Sequence, residues 1–388
     1  MRILAIAYAC EPGKGSEPGA GWAWSRMLAR LGETWVITRA NNRPGIEAAM
    51  RSLDPKERAR FIYVDLPHWA RFWKRGQRGV RLYYLLWQLS ALKVARRSHR
   101  ARPFDLVWHV TFANVWLGSV GPFVGAPFLY GPVGGGSDSC LDPHIVGVRG
   151  ALSEIVRAIA IGIGRYLNPL ARSSWRRAIV LLANNVDTVR WLPARDRKKA
   201  TVFPNVALDD LPSRAAAQDS RRIAVYAGRL LPSKGGGLAV QTMEYLPSWE
   251  LVIFGSGPDE ARMRRLANEL GVRDRITFRG WVSRDELLRF MSAHADVLLF
   301  PSLHDQAPWI VGEALTMGLP AICVDRGGPP ALGATCVPLD GLPTTATALA
   351  EAVRRSPTGP FRAWHIDFRY AELRQLLQSR GLLEHVES

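Results

Sequence analysis

Two acidic residues, Asp305 and Glu313, stand eight positions apart in the segment PSLHDQAPWIVGEALTMGLP (301–320). Asp305 follows the apolar run DVLLFPS, which predicts a strand, so we expect Asp305 in the loop after that strand. Glu313 begins the run EALTMG, whose spacing predicts the start of a helix, where the helix dipole alone would favour an acid. Both could be ordinary solvated acids. The Pro, Trp and Gly residues around them indicate a shaped loop, which makes the two carboxylates candidates for the walls of a ligand site.

Two cations follow the first predicted strand of the second half of the chain. In YAGRLLPSKGG (226–236), Arg229 and Lys234 both lie in the connection that leaves the strand's carboxyl end. Their spacing lets both converge on one anion, since Arg binds a phosphate through two hydrogen bonds and Lys adds a point charge. The alternative is a pair of solvated surface cations. The position at a strand end favours phosphate binding.

Three glycine-rich segments follow other predicted strands. GSEPGAGWAWSR contains Gly19 and Gly21, FGSGPDE contains Gly255 and Gly257, and YGPVGGG ends a strand in the first half. Glycine lets a backbone approach a ligand closely, and a helix N-terminus offers free N–H groups to an anion. Plain turns between strand and helix, or a flexible loop, are the alternatives.

His109 lies near the end of a predicted strand, in DLVWHVTF. A histidine there is a candidate wall of a cleft. A lone histidine can equally be a core residue whose ring nitrogens are both hydrogen-bonded.

Short apolar runs alternate with longer helical patterns along the chain, which predicts βαβ units and parallel sheets. The Pro-, Ser- and charge-rich segment 203–222 has linker composition. We therefore predict two doubly wound domains, 1–205 and 206–355, with a ligand cleft between them, and a helical segment 356–388 that packs on either half. The predicted strands are 3–8, 34–38, 61–65, 105–110, 127–130, 179–183, 222–228, 250–255, 275–280, 296–302 and 320–325.

The composition is that of a globular protein with acidic partners. The 388 residues carry a net charge of +17, and 47% are hydrophobic. Such a charge favours nucleotide phosphates, nucleic acid or anionic lipid. The four cysteines have neither zinc nor disulfide spacing and indicate reduced cytosolic thiols. The apolar N-terminus predicts a buried strand rather than a signal peptide, and no apolar run is long enough to span a membrane.

The segment 67–103 is basic and aromatic. Between Asp65 and Asp105 there are ten Lys and Arg residues and no acid, with six aromatic residues among them. This composition predicts a patch that binds an anionic membrane surface, with the aromatic rings at headgroup level. An ordinary helical insert with a solvated cationic face is the alternative. Single-stranded nucleic acid is a further one, but nothing else in the chain resembles a nucleic-acid-binding module.

Taken together, these segments resemble the retaining glycosyltransferases of family 4, which have the GT-B fold of two Rossmann-like domains. The matching pieces run in family order: AGRLLPSKGG, FGSGP, ITFRGWV, ADVLLFPS and D-x7-E-ALTMGLPAI. The first half matches through GSEPGAG and through a histidine after a mid-domain strand. The resemblance covers most of residues 1–335 and is more specific in the second half.

The resemblance implies a role for each matching residue. Arg229 and Lys234 would hold the donor's diphosphate, Glu313 the ribose, and Asp305 would face the transferred sugar. His109 would sit near that sugar. The remaining matches would line the nucleotide cleft or approach the donor phosphate or the acceptor: Gly19, Gly21, Gly255, Gly257, Trp281 and Val282.

Asp305 departs from the family, which has Glu at that position. Because Asp is one methylene shorter, either the loop brings the backbone closer, the donor sugar differs, or activity is lower. The resemblance implies transfer of a sugar from a nucleotide diphosphate sugar to a glycan or lipid-linked acceptor, without a metal, in cell-surface or exopolysaccharide biosynthesis. The cysteines and the basic segment 67–103 predict an enzyme of the cytoplasm that associates with the inner face of the plasma membrane. The alternatives are a nucleotide-sugar epimerase of the same fold and a catalytically weak sugar-nucleotide-binding or scaffold protein.

Overall fold

Two parallel sheets form the framework of the chain. The computed structural model describes residues 1–67, 79–112, 114–214, 222–356 and 361–383. In these residues, seven strands form the first sheet in the order β3-β2-β1-β4-β5-β6-β7, and six form the second in the order β10-β9-β8-β11-β12-β13. In each sheet the order reverses beside its first strand, β1 or β8, which is the topological switch point of a doubly wound fold. The prediction of two doubly wound domains is confirmed.

The first sheet is built from the apolar runs of the first half. Ile3, Leu4 and Ile6 of its central strand are fully buried, and each contributes about 1.5–3 kcal/mol of burial free energy. Such runs are nearly continuous because helices cover both faces of a parallel sheet. The strands are β1 Arg2–Ala7, β2 Glu33–Arg39, β3 Arg60–Val64, β4 Leu106–Thr111, β5 Phe128–Val133, β6 Val180–Ala183 and β7 Ala200–Val202. The helices are α1 Ser16–Leu31, α2 Arg43–Met50, α3 Val80–Ala101, α4 Pro143–Tyr166, α5 Pro169–Arg177, α6 Val186–Trp191 and α7 Ala194–Arg197.

The second sheet repeats this plan on a smaller scale. Its strands are β8 Arg222–Ala227, β9 Trp249–Phe254, β10 Ile276–Gly280, β11 Val297–Leu299, β12 Ala321–Val324 and β13 Thr335–Val337. Its helices are α8 Gly236–Thr242, α9 Glu260–Glu269, α10 Arg284–His294, α11 Trp309–Thr316, α12 Pro329–Leu332 and α13 Thr344–Arg354. The carboxyl ends of β8, β10 and β11 face the first domain across a cleft.

The last helix, α14 (Ile366–Ser379), packs against the first domain. Arg30 of α1 forms an ion pair with Asp367 at 2.6 Å and stacks on the ring of Tyr370. The buried Arg369 donates hydrogen bonds to the carbonyl oxygens of Pro204 and Val206, at 2.7 and 3.1 Å. These contacts hold α14 against α1 of the first domain and against the segment that joins the two domains.

The aromatic residues of segment 67–103 that the structure describes are not at the surface. Tyr83, Tyr84 and Trp87 of α3 are at most 1% exposed and belong to the core of the first domain. The prediction that these rings face a membrane is wrong, because they point inward from a helix whose opposite face carries Arg96 and Arg97. Residues 68–78, which include four of the ten predicted cations, lie outside the described residues.

Candidate active site

A cavity of about 600 Å³ lies between the two domains, at the carboxyl ends of the strands. The second domain supplies most of its wall from the loops after β8, β10 and β11 and from α10 and α11. The first domain supplies residues 13–16, which follow β1. Open α/β sheets bind ligands in this position, so the cavity is the candidate site. Of the predicted residues, it brings together Arg229, Lys234, Trp281, Val282, Asp305 and Glu313.

Lys234 and Asp305 form an ion pair in the wall of this cavity. Lys234 ends a short 3₁₀ turn, and Gly235 follows with a φ of +70°. A Cβ at Gly235 would lie 1.9 Å from the Pro301 carbonyl oxygen, so only glycine allows the two loops to meet here. The backbone contact brings the lysine ammonium to the aspartate carboxylate.

Asp305 is held in its ionised form. Burial on its own would raise the pKa of this carboxyl, but the Lys234 ammonium and a hydrogen bond from the Ser302 hydroxyl at 2.9 Å hold the pKa below 3.8. The Asp305 carbonyl oxygen accepts a hydrogen bond from the Gly328 N–H at 2.7 Å. A Cβ at Gly327 would lie 2.3 Å from that same oxygen. The loop is thus closed tightly behind a carboxylate that is anionic at neutral pH.

Glu313 is 4% exposed and pairs with Arg284, whose Nε lies 2.7 Å from its carboxylate. Burial raises the pKa of Glu313, and the guanidinium offsets only part of that rise. The prediction that Glu313 begins a helix is wrong, because α11 begins four residues earlier, at Trp309. Glu313 lies beyond the first turn, so the helix dipole does not explain an acid at this position.

A smaller cavity of about 220 Å³ adjoins the main one. Arg229, Gly255, Trp281 and Val282 contribute to its lining. Arg229 is exposed, and the Trp281 side chain is 78% exposed at the mouth. This side cavity has the size and the aromatic wall to take a flat ring beside Arg229.

Three of the predicted cleft glycines have packing roles. A Cβ at Gly19 would lie 2.0 Å from the Lys14 carbonyl oxygen, and one at Gly21 would lie 1.9 Å from that of Ala9. A Cβ at Gly257 would lie 2.3 Å from the Leu230 carbonyl oxygen. The structure does not bring Gly19 and Gly21 to the cavity wall, since both are buried against their own loop. Two other glycines of the loop after β1, Gly13 and Gly15, line the cleft.

The structure also places His109 away from the cavity. The ring is fully buried, with Nε2 3.1 Å from the Tyr84 hydroxyl and Nδ1 2.9 Å from the Ser119 hydroxyl. Burial lowers the pKa of His109 to about 3, so the ring is neutral. It is the hydrogen-bonded core histidine of the alternative interpretation, and the prediction that it walls the cleft is wrong.

Gln306, next to Asp305, is an interdomain residue that the sequence did not reveal. Its side-chain oxygen accepts a hydrogen bond from the Gly135 N–H at 2.5 Å, and its amide nitrogen donates to the Ser137 hydroxyl at 2.9 Å. A Cβ at Gly134 would lie 2.7 Å from the Gln306 side chain. Gly134 and Gly135 of YGPVGGG therefore receive this glutamine, which links the Asp305 loop to the first domain.

Sequence reasoning also missed two cavity residues, Arg284 and Ser16. Arg284 follows Ser283, which caps α10 through its hydroxyl, and this Ser-Arg-Asp-Glu start was a readable helix signal. Ser16 has a φ of +61°, in the left-handed region that non-glycine residues seldom adopt. No sequence signal marked that strain.

Glu17, beside Ser16, gives a prediction about pH and stability. Its carboxylate accepts a hydrogen bond from the Phe112 N–H at 2.6 Å, but burial outweighs this bond and raises the pKa to about 7. Between pH 4.5 and 7 the folded chain therefore keeps a proton that the unfolded chain has lost. We expect the free energy of unfolding to fall with pH in this window, and to fall less steeply in Glu17→Gln. Urea unfolding across the window measures both slopes. The exposed Glu244→Gln serves as control, and identical slopes in all three proteins would contradict the assignment.

Comparison with known proteins supports the GT-B prediction. Residues 209–354 match the family model of glycosyl transferases group 1. The 2-deoxystreptamine glucosyltransferase of Streptomyces kanamyceticus is 32% identical over 29% of this chain and 30% of its own. A GDP-mannose-dependent alpha-(1-6)-phosphatidylinositol monomannoside mannosyltransferase of Mycolicibacterium smegmatis is 25% identical over 82% of this chain and 90% of its own. The chain thus spans under a third of one relative's length and nine-tenths of the other's.

The fold has a solved counterpart. The sucrose-phosphate synthase of Thermosynechococcus elongatus superposes with a TM-score of 0.63 at 18% identity, over 97% of this chain and 98% of that one. The two parallel-sheet domains therefore form a GT-B fold, and the second of them matches glycosyl transferases group 1 over residues 209–354.

Proposed function

We propose that the protein is a retaining glycosyltransferase that moves a hexosyl group from a nucleoside diphosphate sugar to a hydroxyl of a glycan or lipid-linked acceptor. The observation that carries the proposal is the convergence of Arg229, Lys234, Asp305 and Glu313 on one interdomain cavity. Two cations suit a diphosphate, and the two carboxylates suit hydroxyls of a sugar and a ribose.

The donor would lie across the main and side cavities. Arg229 borders both, so a diphosphate beside it would place the base toward Trp281 and Val282. Glu313, oriented by Arg284, would accept hydrogen bonds from the ribose hydroxyls. Asp305 would face the hexosyl ring. The positive charge at the diphosphate would come from the chain's own Arg229 and Lys234, and we propose that no metal is needed.

In the transfer step, the bond between the anomeric carbon and the phosphate oxygen breaks, and its electron pair leaves with the diphosphate. Arg229 and Lys234 stabilise the charge that develops on that group, and each donor of this kind is worth about 10²–10³-fold in rate. The sugar passes through an oxocarbenium-like state. The acceptor oxygen bonds to the same face, its proton passes to the departing phosphate oxygen, and the anomeric configuration is kept.

The acceptor side of the proposal rests on one relative. The M. smegmatis relative is named for a phosphatidylinositol mannoside acceptor, which is a lipid-linked glycan. By analogy, we propose a glycan or lipid-linked acceptor of cell-surface or exopolysaccharide biosynthesis, reached at the inner face of the plasma membrane.

Replacement of Glu313 by glutamine should weaken the binding of the nucleoside diphosphate about tenfold, because a neutral amide oxygen replaces a charged hydrogen-bond acceptor. Calorimetric titration measures this effect. The matched control is Glu351→Gln, which alters an exposed acid on α13. Deoxyribose analogues of the ligand sharpen the test, since removing the contacted hydroxyl should cost less in the variant than in the wild type. Equal costs in both proteins would remove Glu313 from the ribose site.

The transfer itself is tested by incubating the protein with single nucleotide sugars and a panel of hydroxyl acceptors. Diphosphate release is measured, and the configuration of the product is read by NMR. The proposal predicts a glycoside with the donor's anomeric configuration. An inverted product would refute retention, an epimerised donor without transfer would favour an epimerase, and binding without turnover would favour a scaffold protein.

A further inference from the structure

Helix α4 carries a row of large apolar side chains that face solvent. The residues recur every three or four positions, so they share one side of the helix. Their exposed fractions run from 45% at Ile155 to 79% at Val148. We call this row the α4 apolar face, and it consists of Val148, Leu152, Ile155, Val156, Ile159, Ile163 and Tyr166.

The fold does not need this face for its own core, because the other side of α4 is already packed. Ile145 and Val146 are at most 2% exposed. A Cβ at Gly150 would lie 2.8 Å from the Pro232 side chain, and the buried Glu154 contacts His304 at 2.9 Å. The helix therefore has a packed side and a second, apolar side that is exposed from Val148 to Tyr166. Large exposed apolar patches of this kind mark interaction surfaces.

The charged residues beside the row on α4, and those in the segment that follows the helix, are cations. The chain has no Asp or Glu from Ile155 to Val186, but five arginines fall in that interval. Arg149 and Arg165 lie on α4 itself, beside members of the row. Arg81 of α3 stacks on Trp116, whose side chain packs against the α4 backbone at Gly164. The one acid of α4, Glu154, is buried and paired, so the cations around the face are not balanced by an acid on the same helix.

We propose that the α4 apolar face docks the protein onto an anionic membrane surface, with α4 lying in the plane of the interface. An apolar row flanked by arginines is the chemistry of an interfacial helix. No helix in the described ranges is long and apolar enough to cross a membrane. A second copy of the chain fits less well, because a two-fold contact would bring the arginines of one α4 toward those of the other.

Docking in this way would bring the membrane close to the cavity. The packed side of α4 contacts Pro232 and His304, which are near neighbours in sequence of Lys234 and Asp305. An acceptor held in the lipid surface would thus enter the cleft from its α4 side. This consequence rests on the proposed function, whereas docking itself does not.

The experiment is vesicle flotation of the full chain, with phosphatidylcholine alone or mixed with phosphatidylglycerol. We expect the protein to float with the anionic vesicles. The triple variant Leu152→Gln, Val156→Gln and Ile159→Gln should partition at least about tenfold more weakly, because three apolar groups no longer enter the lipid. Arg149→Gln and Arg165→Gln should each cost about fivefold, and added salt should reproduce that loss.

The matched control replaces three other exposed apolar residues, Ile179, Val186 and Phe368, with glutamine and should float like the wild type. All substitutions except Arg165→Gln, which alters a half-buried side chain, are at exposed positions, and thermal unfolding checks that each variant folds. Nucleotide binding should be unchanged throughout, which separates failure of this proposal from failure of the proposed function. Two results would overturn docking. One is a wild-type protein that floats with neither kind of vesicle, and the other is a control variant that loses vesicle binding as the triple variant does. A wild-type dimer that ignores vesicles and is dissociated by the triple variant would assign the face to a second copy.

Discussion

Replacement of Lys234 by alanine is expected to lower kcat/KM for the nucleotide sugar by about 10²–10³-fold. The substitution removes a cation from the wall of the cleft, so the departing diphosphate loses one of its two positive partners. It also leaves Asp305 without its ion-pair partner. Steady-state kinetics with the cognate donor measures the first effect, and thermal unfolding measures the second.

Lys199→Ala is the matched control. Lys199 is also a partly buried lysine that faces an aspartate, with its ammonium 3.5 Å from Asp196, but it lies in the first domain beside β7. It should retain wild-type turnover. The stability lost in Lys234→Ala should depend on pH, because a depressed aspartate pKa stabilises only where the carboxyl is ionised. The difference from wild type should be full above pH 3.8 and vanish as the pH falls through the lowered pKa. Near-normal turnover in Lys234→Ala would overturn the role of the lysine.

Replacement of Asp305 by asparagine should lower kcat about 10²-fold while leaving nucleoside diphosphate binding intact or tighter. The amide keeps the shape of the side chain, but it removes the negative charge that would face the hexosyl ring as that ring becomes cationic. Lys234, freed of its partner, would become a stronger ligand for the diphosphate. Kinetics and calorimetry on the same preparation should therefore show a lower kcat without a loss of affinity.

Asp259→Asn is the control for this split. Asp259 pairs with Arg262 at 2.8 Å, at the start of α9. It alters a buried acid of the same domain and should change neither kcat nor affinity. A parallel fall of kcat and affinity in Asp305→Asn would mean that Asp305 only holds the loop in place. Asp305→Glu tests the length of the side chain. A gain in rate would show that the shorter acid limits activity.

The sheets could be predicted because buried parallel strands are nearly continuous apolar runs. The runs at 3–8 and 105–110 overlap β1 and β4 almost completely. The two missed strands, β7 and β13, are three residues long, pair with one neighbour at a sheet edge and read as ATV and TCV. Whether such short edge segments form strands depends on pairing with the neighbouring strand, and their own sequence pattern does not predict it.

Arg229, Lys234 and Asp305 were also visible in the sequence, because each follows a strand whose carboxyl end faces the cleft. The roles of the glycines and of His109 were harder to predict, since glycine serves close packing and close ligand approach alike. Only coordinates show that Gly19 meets the Lys14 carbonyl and that both His109 nitrogens are bonded inside the core. The interdomain role of Gln306 could not be predicted from the sequence either. Its partners lie about 120 and 170 residues away in the chain, so no local pattern records them.

The most direct test of the central claim is a thermal-shift panel of UDP, GDP and ADP with their common sugar conjugates, followed by calorimetry on the best ligand. A ligand at 100 times its dissociation constant adds about 2.7 kcal/mol of stability, which is easily measured. The account predicts that one diphosphate stabilises the wild type clearly, and Glu313→Gln and Lys234→Ala less. No stabilisation by any of these nucleotides would contradict the donor site between the domains.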